Sequence, residues 1–149
     1  MTMRVGDIMR QPITVSPRAT VIEAARLMRE KNIGWLIVST GQQPIGIVTE
    51  RDLLYKVMAA GLFTESTNVM QVMTSKLVVG TPKMTVQEAV AVMHKHTIRR
   101  LPIVDHDKLV GVVTSRDIFA ELDKHPAEPA KSVPKKKAPG RNRAAPRRR

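Results

Sequence analysis

Two short segments carry the residue types best suited to chemistry. Gly46-Ile47-Val48-Thr49-Glu50-Arg51-Asp52 recurs as Gly111-Val112-Val113-Thr114-Ser115-Arg116-Asp117. Each copy follows an alternating apolar run and precedes a helical pattern, so Thr49 and Thr114 fall where helix amides are free. A hydroxyl beside free amides can meet a phosphate. A carboxylate one turn later, Asp52 or Asp117, can accept bonds from both hydroxyls of a ribose. The glycine that opens each segment lets a ligand approach the backbone closely. Thr-x-x-Asp is also a plain capping box, in which the same side chains satisfy the helix's own first amides. The two roles can coexist if the side chains reorient on binding. Arg51 and Arg116, two positions past each threonine, either add charge to such a site or lie on a solvated helix face.

The other reactive residue types form no convincing constellation. His94 and His96 are two apart on a helical pattern and point to different sides, a poor metal pair. His106 falls in a turn and His125 beside the C-terminal tail. The chain shows no nucleophile and base at a workable spacing, no Gly-rich P-loop and no acidic metal cluster. The expectation is a protein that is not an enzyme and requires no cofactor.

The elements that must position the repeated motif are themselves repeated. At an offset of 65 positions, Pro17-Arg18-Ala19-Thr20-Val21-Ile22-Glu23-Ala24 matches Pro82-Lys83-Met84-Thr85-Val86-Gln87-Glu88-Ala89. Upstream the register slips by one, with Asp7-Ile8-Met9 answering Gln71-Val72-Met73. Thr20-x-x-Glu23 and Thr85-x-x-Glu88 are capping boxes that start helices running to about Lys31 and His96. Their apolar stripes are Val21, Ala24, Ala25, Leu27 and Met28, then Val86, Ala89, Val90, Val92 and Met93. Strand pairs follow at Trp35 to Ser39 with Pro44 to Val48, and at Leu101 to Val104 with Leu109 to Val113. A short strand is expected before each first helix, near Ile13 to Val15 and Leu77 to Val79. The closing helices start at Thr49 and Thr114, and the first ends by Gly61.

A βαββα repeat with Gly-apolar-Val-Thr-x-x-Asp at its last strand-to-helix junction resembles the cystathionine-β-synthase domain, or CBS domain. Arg99-Arg100-Leu101-Pro102-Ile103-Val104-Asp105 fits that family's basic-apolar-Pro segment. The likeness covers about residues 5 to 122, with no catalytic or transport domain appended, as in stand-alone CBS-pair proteins. It implies an α/β (α+β) fold, two βαββα repeats packed through their sheets into a pseudo-two-fold disc with two clefts. It further implies an adenine nucleotide or other adenosyl ligand in those clefts, and pairing of discs into homodimers. By this likeness Arg99 and Arg100 reach the phosphate of a ligand whose ribose is held by Asp52, while Thr114, Arg116 and Asp117 serve the other cleft. There the aligned positions are Gly34 and Trp35, so the Asp52 cleft is the better anionic site. Trp35, the only tryptophan, stacks on an adenine in the Asp117 cleft or is a buried or dimer-facing indole. The methionines, among them Met9, Met28, Met58, Met73 and Met93, fit core or dimer packing, with an adaptable ligand wall as the alternative.

The expected division is repeat 1 over 1–60, a linker over 61–68, repeat 2 over 69–124 and a tail over 125–149. Each repeat is small for an independent core, so the two are expected to share one. The chain carries a net charge of +12, and from Lys124 to Arg149 ten Lys or Arg face the single acid Glu128. That tail has almost nothing apolar to bury and reads as disordered. Residues 131–149 are a polycation suited to nucleic acid or another polyanion, which makes a nucleic-acid-binding protein with a dimerising scaffold the alternative function. No apolar run is long enough for a membrane span, no signal-peptide core opens the chain, and the absence of cysteine points to the cytoplasm.

Overall fold

Each repeat is built from a helix locked at both ends, followed by a hairpin. In the computed structural model, which describes residues 2–125, the order is α1 (Val5–Ile8), β1 (Thr14–Val15), α2 (Val21–Lys31), β2 (Trp35–Thr40), β3 (Gln43–Thr49) and α3 (Glu50–Asp52). The last runs on as π-helical turns over Leu53–Met58. Then come α4 (Val69–Val72), α5 (Val86–His96), β4 (Arg100–Asp105), β5 (Lys108–Thr114) and α6 (Ser115–Lys124). Residues 126–149, on which the expectations of disorder and polyanion binding fall, lie outside the described residues. Among the described residues no helix is long and apolar enough to cross a membrane.

The capping boxes form as expected. The Thr20 N–H donates to Glu23 at 2.9 Å and the Glu23 N–H to Thr20 Oγ1 at 3.3 Å, and Thr85 with Glu88 repeats the pair at 2.8 and 3.1 Å. Both helices stop on a left-handed residue, Asn32 at φ 54° and Thr97 at φ 53°. The next amides, of Ile33 and Ile98, then bond back to Met28 and Met93. Most of the expected stripe faces inward, but Val90 is exposed. The first closing helix starts after Thr49 and ends before Gly61, as expected, but its winding changes. Past Asp52 it widens, so that Ala59 donates to Leu54 and Leu62 to Val57, each five residues back.

In the first repeat β1 pairs parallel with β2, which pairs antiparallel with β3. The second has only β4 and β5, with Gly80 bridged singly to Ile103. The strand expected near Leu77 to Val79 is therefore absent, and Pro102 accounts for it. Ile37 donates its N–H to Ile13 at 3.0 Å, and the aligned residue is Pro102, which has no N–H to give. The flanking bonds survive, from Gly80 N–H to Pro102 and from Val104 N–H to Gly80, both at 2.9 Å.

The two repeats form a pseudo-two-fold disc in which each lends its first helix to the other. Val5 of α1 lies in a buried cluster with Ala89, Met93, Leu101, Ile103, Val113 and Ile118 of the second repeat. Val69 and Val72 of α4 lie in the cluster of the first repeat, with Ala24, Leu36, Val48 and Val57. Backbone bonds fasten both exchanges: Val5 N–H to Met84, Gly6 N–H to Pro82, Val69 N–H to Ala19 and Met70 N–H to Pro17. Beyond each helix the chain adds a bridge to the other repeat's last strand, Arg10 to Val112 and Thr74 to Ile47. The expectation of one shared core is thus replaced by two, the second completed by Val5 and the first by Val69 and Val72 from the other copy. Burying each such valine contributes about 1.5–3 kcal/mol, so neither repeat retains its full core alone.

Candidate functional site

The Thr-x-x-Asp motifs form caps that also hold a cation. Asp52 is buried at the end of α3, in the first turn of the closing helix, where one carboxylate oxygen accepts from the Thr49 N–H at 2.9 Å and from Thr49 Oγ1 at 3.1 Å. Its other oxygen lies 2.8 Å from Lys56 Nζ, which also donates to Val72 O at 2.9 Å. Asp117 repeats this with Thr114, at 2.9 Å for both bonds, and its second oxygen lies 2.6 Å from Arg10 Nε. Each carboxylate is thus tied into its own cap and pinned by a cation.

Two clefts open between the repeats, each walled by the N-terminal end of one closing helix and the first hairpin strand of the other repeat. The larger, about 520 Å³, brings together Thr49, Arg51, Arg99 and Arg100, with Lys76 and Glu50. Four cations face one carboxylate there. Burial and the neighbouring charge of Arg99 lower the pKa of Arg100 from its ordinary value, against a raising effect from Glu50. Thr97, a β-branched residue held at positive φ, lines the same wall. The smaller cleft, about 330 Å³, joins Trp35, Thr114, Arg116 and Asp117 with Arg10 and Gln11. Trp35 and Arg100 are counterparts: Trp35 pairs with Thr49 across the first hairpin and Arg100 with Thr114 across the second.

A model of the CBS domain matches the chain twice, over residues 5–59 and 69–124. The chain belongs to the CBS-domain family. It is 42% identical over 121 residues to an uncharacterised protein of Methanopyrus kandleri, covering 79% of this chain and 62% of that one. A CBS-domain protein of Burkholderia ambifaria superposes with a TM-score of 0.77 at 32% identity, over 87% of this chain and all of that chain. The CBS domain pair of protein MJ0100, solved with 5′-methylthioadenosine and S-adenosyl-L-methionine, superposes with a TM-score of 0.75 at 26% identity, over 84% and 99% of the two chains.

Within the CBS pair, the site residues divide between the clefts in an order the motif does not reveal. Thr49 and Arg51 meet Arg99 and Arg100, whereas Asp52 is not among the residues lining that cleft. Asp117 does line its own cleft, beside Trp35. The glycines have a different use from close approach of a ligand. A Cβ on Gly46 would stand 2.6 Å from Met73 Sδ and 3.0 Å from Thr74 O, and one on Gly111 would stand 2.6 Å from Met9 Sδ. Each glycine admits the segment lent by the other repeat. Sequence reasoning missed Arg10, Lys56, Lys76 and Glu50. Lys56 had a signal, since it lies four residues past Asp52 on a helical pattern. Arg10 and Lys76 enter the clefts only through the exchange.

Proposed function

We propose that this CBS pair is a cytoplasmic, non-catalytic regulatory module that senses an adenine nucleotide or other adenosyl ligand in its inter-repeat clefts. The observation that carries the reading is the convergence of Arg51, Lys76, Arg99 and Arg100 with Thr49 in one cleft of about 520 Å³. That arrangement suits phosphates, which charge-assisted bonds from arginine hold strongly. Asp52 acts there through Thr49, whose N–H and hydroxyl it holds at the cleft's edge. In the smaller cleft Trp35 offers a face for adenine, and Asp117 with Thr114 and Arg116 offers the polar contacts. The adenosyl compounds bound by the MJ0100 pair support the ligand class. A ligand that favours one arrangement of the repeats over another changes what a partner meets.

Exposed apolar side chains support pairing into a homodimer. Tyr55, Met58 and Phe63 are exposed along and just past the first closing helix, and Val90, Phe119 and Leu122 rim an apolar groove of about 490 Å³ between α5 and α6. A second copy laid across both helical faces would cover them.

Calorimetric titration with AMP, ADP, ATP and S-adenosylmethionine tests the sensing role, using protein stripped of carried-over ligand. Binding of at least one is expected, with affinity in the larger cleft rising with phosphate count. Heat from none of the four would remove the reading.

A further inference from the structure

Arg10 is fixed by its backbone, and its side chain reaches across a solvent-exposed edge to Asp117. Its N–H donates to Val112 O at 2.9 Å and its carbonyl accepts from the Val112 N–H at 3.0 Å, which anchors it on β5 of the other repeat. Its Nε then pairs with Asp117 Oδ1 at 2.6 Å, although the Arg10 side chain is 73% exposed and that of Asp117 only 8%. Oδ2 of the same carboxylate is committed to Thr114. Oδ1 is therefore the acceptor that remains for a ligand, and Arg10 holds it. The other cleft lacks this device. Thr74 bridges to Ile47 where Arg10 bridges to Val112, and its side chain carries no charge. There the cation on Asp52 is Lys56, from the same helix.

A ligand hydroxyl at Asp117 Oδ1 competes with Arg10 for that oxygen. The displaced guanidinium stays beside the cleft, because the bonds to Val112 hold its backbone. A neutral ligand leaves it to solvent and forfeits a charge-assisted bond, whereas an anionic group on the ligand replaces the lost partner. We propose that Arg10 makes the Trp35 cleft select adenosyl ligands bearing an anionic group over neutral ones, by passing its ion pair from Asp117 to the ligand. The proposal rests on the adenosyl reading of the clefts given above.

Trp35 is the only tryptophan in the chain and lines this cleft, so its emission reports occupancy there. Adenosine and AMP are titrated into the wild type, Arg10→Met and Arg10→Lys, with calorimetry in parallel. The wild type is expected to prefer AMP. Arg10→Met removes the competitor for Asp117, so adenosine binds about tenfold tighter while AMP changes little, and the preference collapses. Arg10→Lys keeps it. An Arg10→Met protein that retains the wild-type preference, or binds adenosine more weakly, overturns the proposal and leaves the adenosyl reading standing. So does calorimetric uptake by the wild type with no change in Trp35 emission. Uptake of neither compound by stripped wild type overturns the adenosyl reading of this cleft and the proposal together.

Discussion

Met73 fills the space that a side chain at position 46 would need. Its sulfur lies 2.6 Å from where a Cβ on Gly46 would stand, and Met9 has the same relation to Gly111. Alanine at 46 must push Met73 aside and also meets Thr74 O at 3.0 Å. Gly46→Ala is expected to lower stability by about 1–3 kcal/mol, the usual cost of overpacking. Met73→Ala in the same chain should recover part of that loss in a double-mutant cycle followed by urea denaturation. Strictly additive losses would show that the glycine serves something other than Met73.

Arg100 lines the cation-rich cleft, half-buried, beside the like charge of Arg99. An anion relieves that repulsion. Arg100→Ala should weaken ATP binding by about tenfold or more, flatten its salt dependence, and leave adenosine binding nearly unchanged. Equal losses for both ligands in calorimetry would assign Arg100 to the fold.

Asp52 and Asp117 are both caps, so replacing either with alanine should cost about 1 kcal/mol in chemical denaturation. Binding should separate them. Asp52→Ala is expected to weaken nucleotide binding more than Asp117→Ala, because Asp52 fixes Thr49 at the edge of the cleft where four cations gather. Equal effects would remove the asymmetry between the clefts.

Phe63 and Phe119 are 80% and 65% exposed, one just past the first closing helix and one on the second. Glutamate at both should leave thermal unfolding little changed, since neither fills a core. It should convert a dimer to a monomer in sedimentation equilibrium. A mass that does not respond would place any self-association elsewhere.

The helices were legible because their signals are local. Thr20 with Glu23 and Thr85 with Glu88 lie three residues apart and close the same bonds in any tertiary setting. The hairpins were legible for the same reason, through turn residues between β-branched runs. Pro102 was visible, but its effect was not. Only a parallel partner placed on that side of β4 makes the missing N–H matter. The family likeness singled out Arg99 and Arg100, which line the cleft with Thr49, and spacing alone would not have placed them there. Arg10 went unread because nothing near it in the chain marks it as the partner of Asp117.

By itself the sequence determined a duplicated βαββα unit, its helix caps and the residues that crowd its strand-to-helix junctions. Those follow from hydrogen bonds and apolar periods a few residues long. Tertiary structure decided which copy completes which core, what the glycines admit, and which cation faces each aspartate. The two repeats present nearly the same docking surface, so local chemistry cannot tell α1 whether to pack on its own sheet or on the other. That choice rests on how the whole pair closes, with Val5 in the second repeat's core and Val69 in the first's, and the charge lining both clefts follows from it.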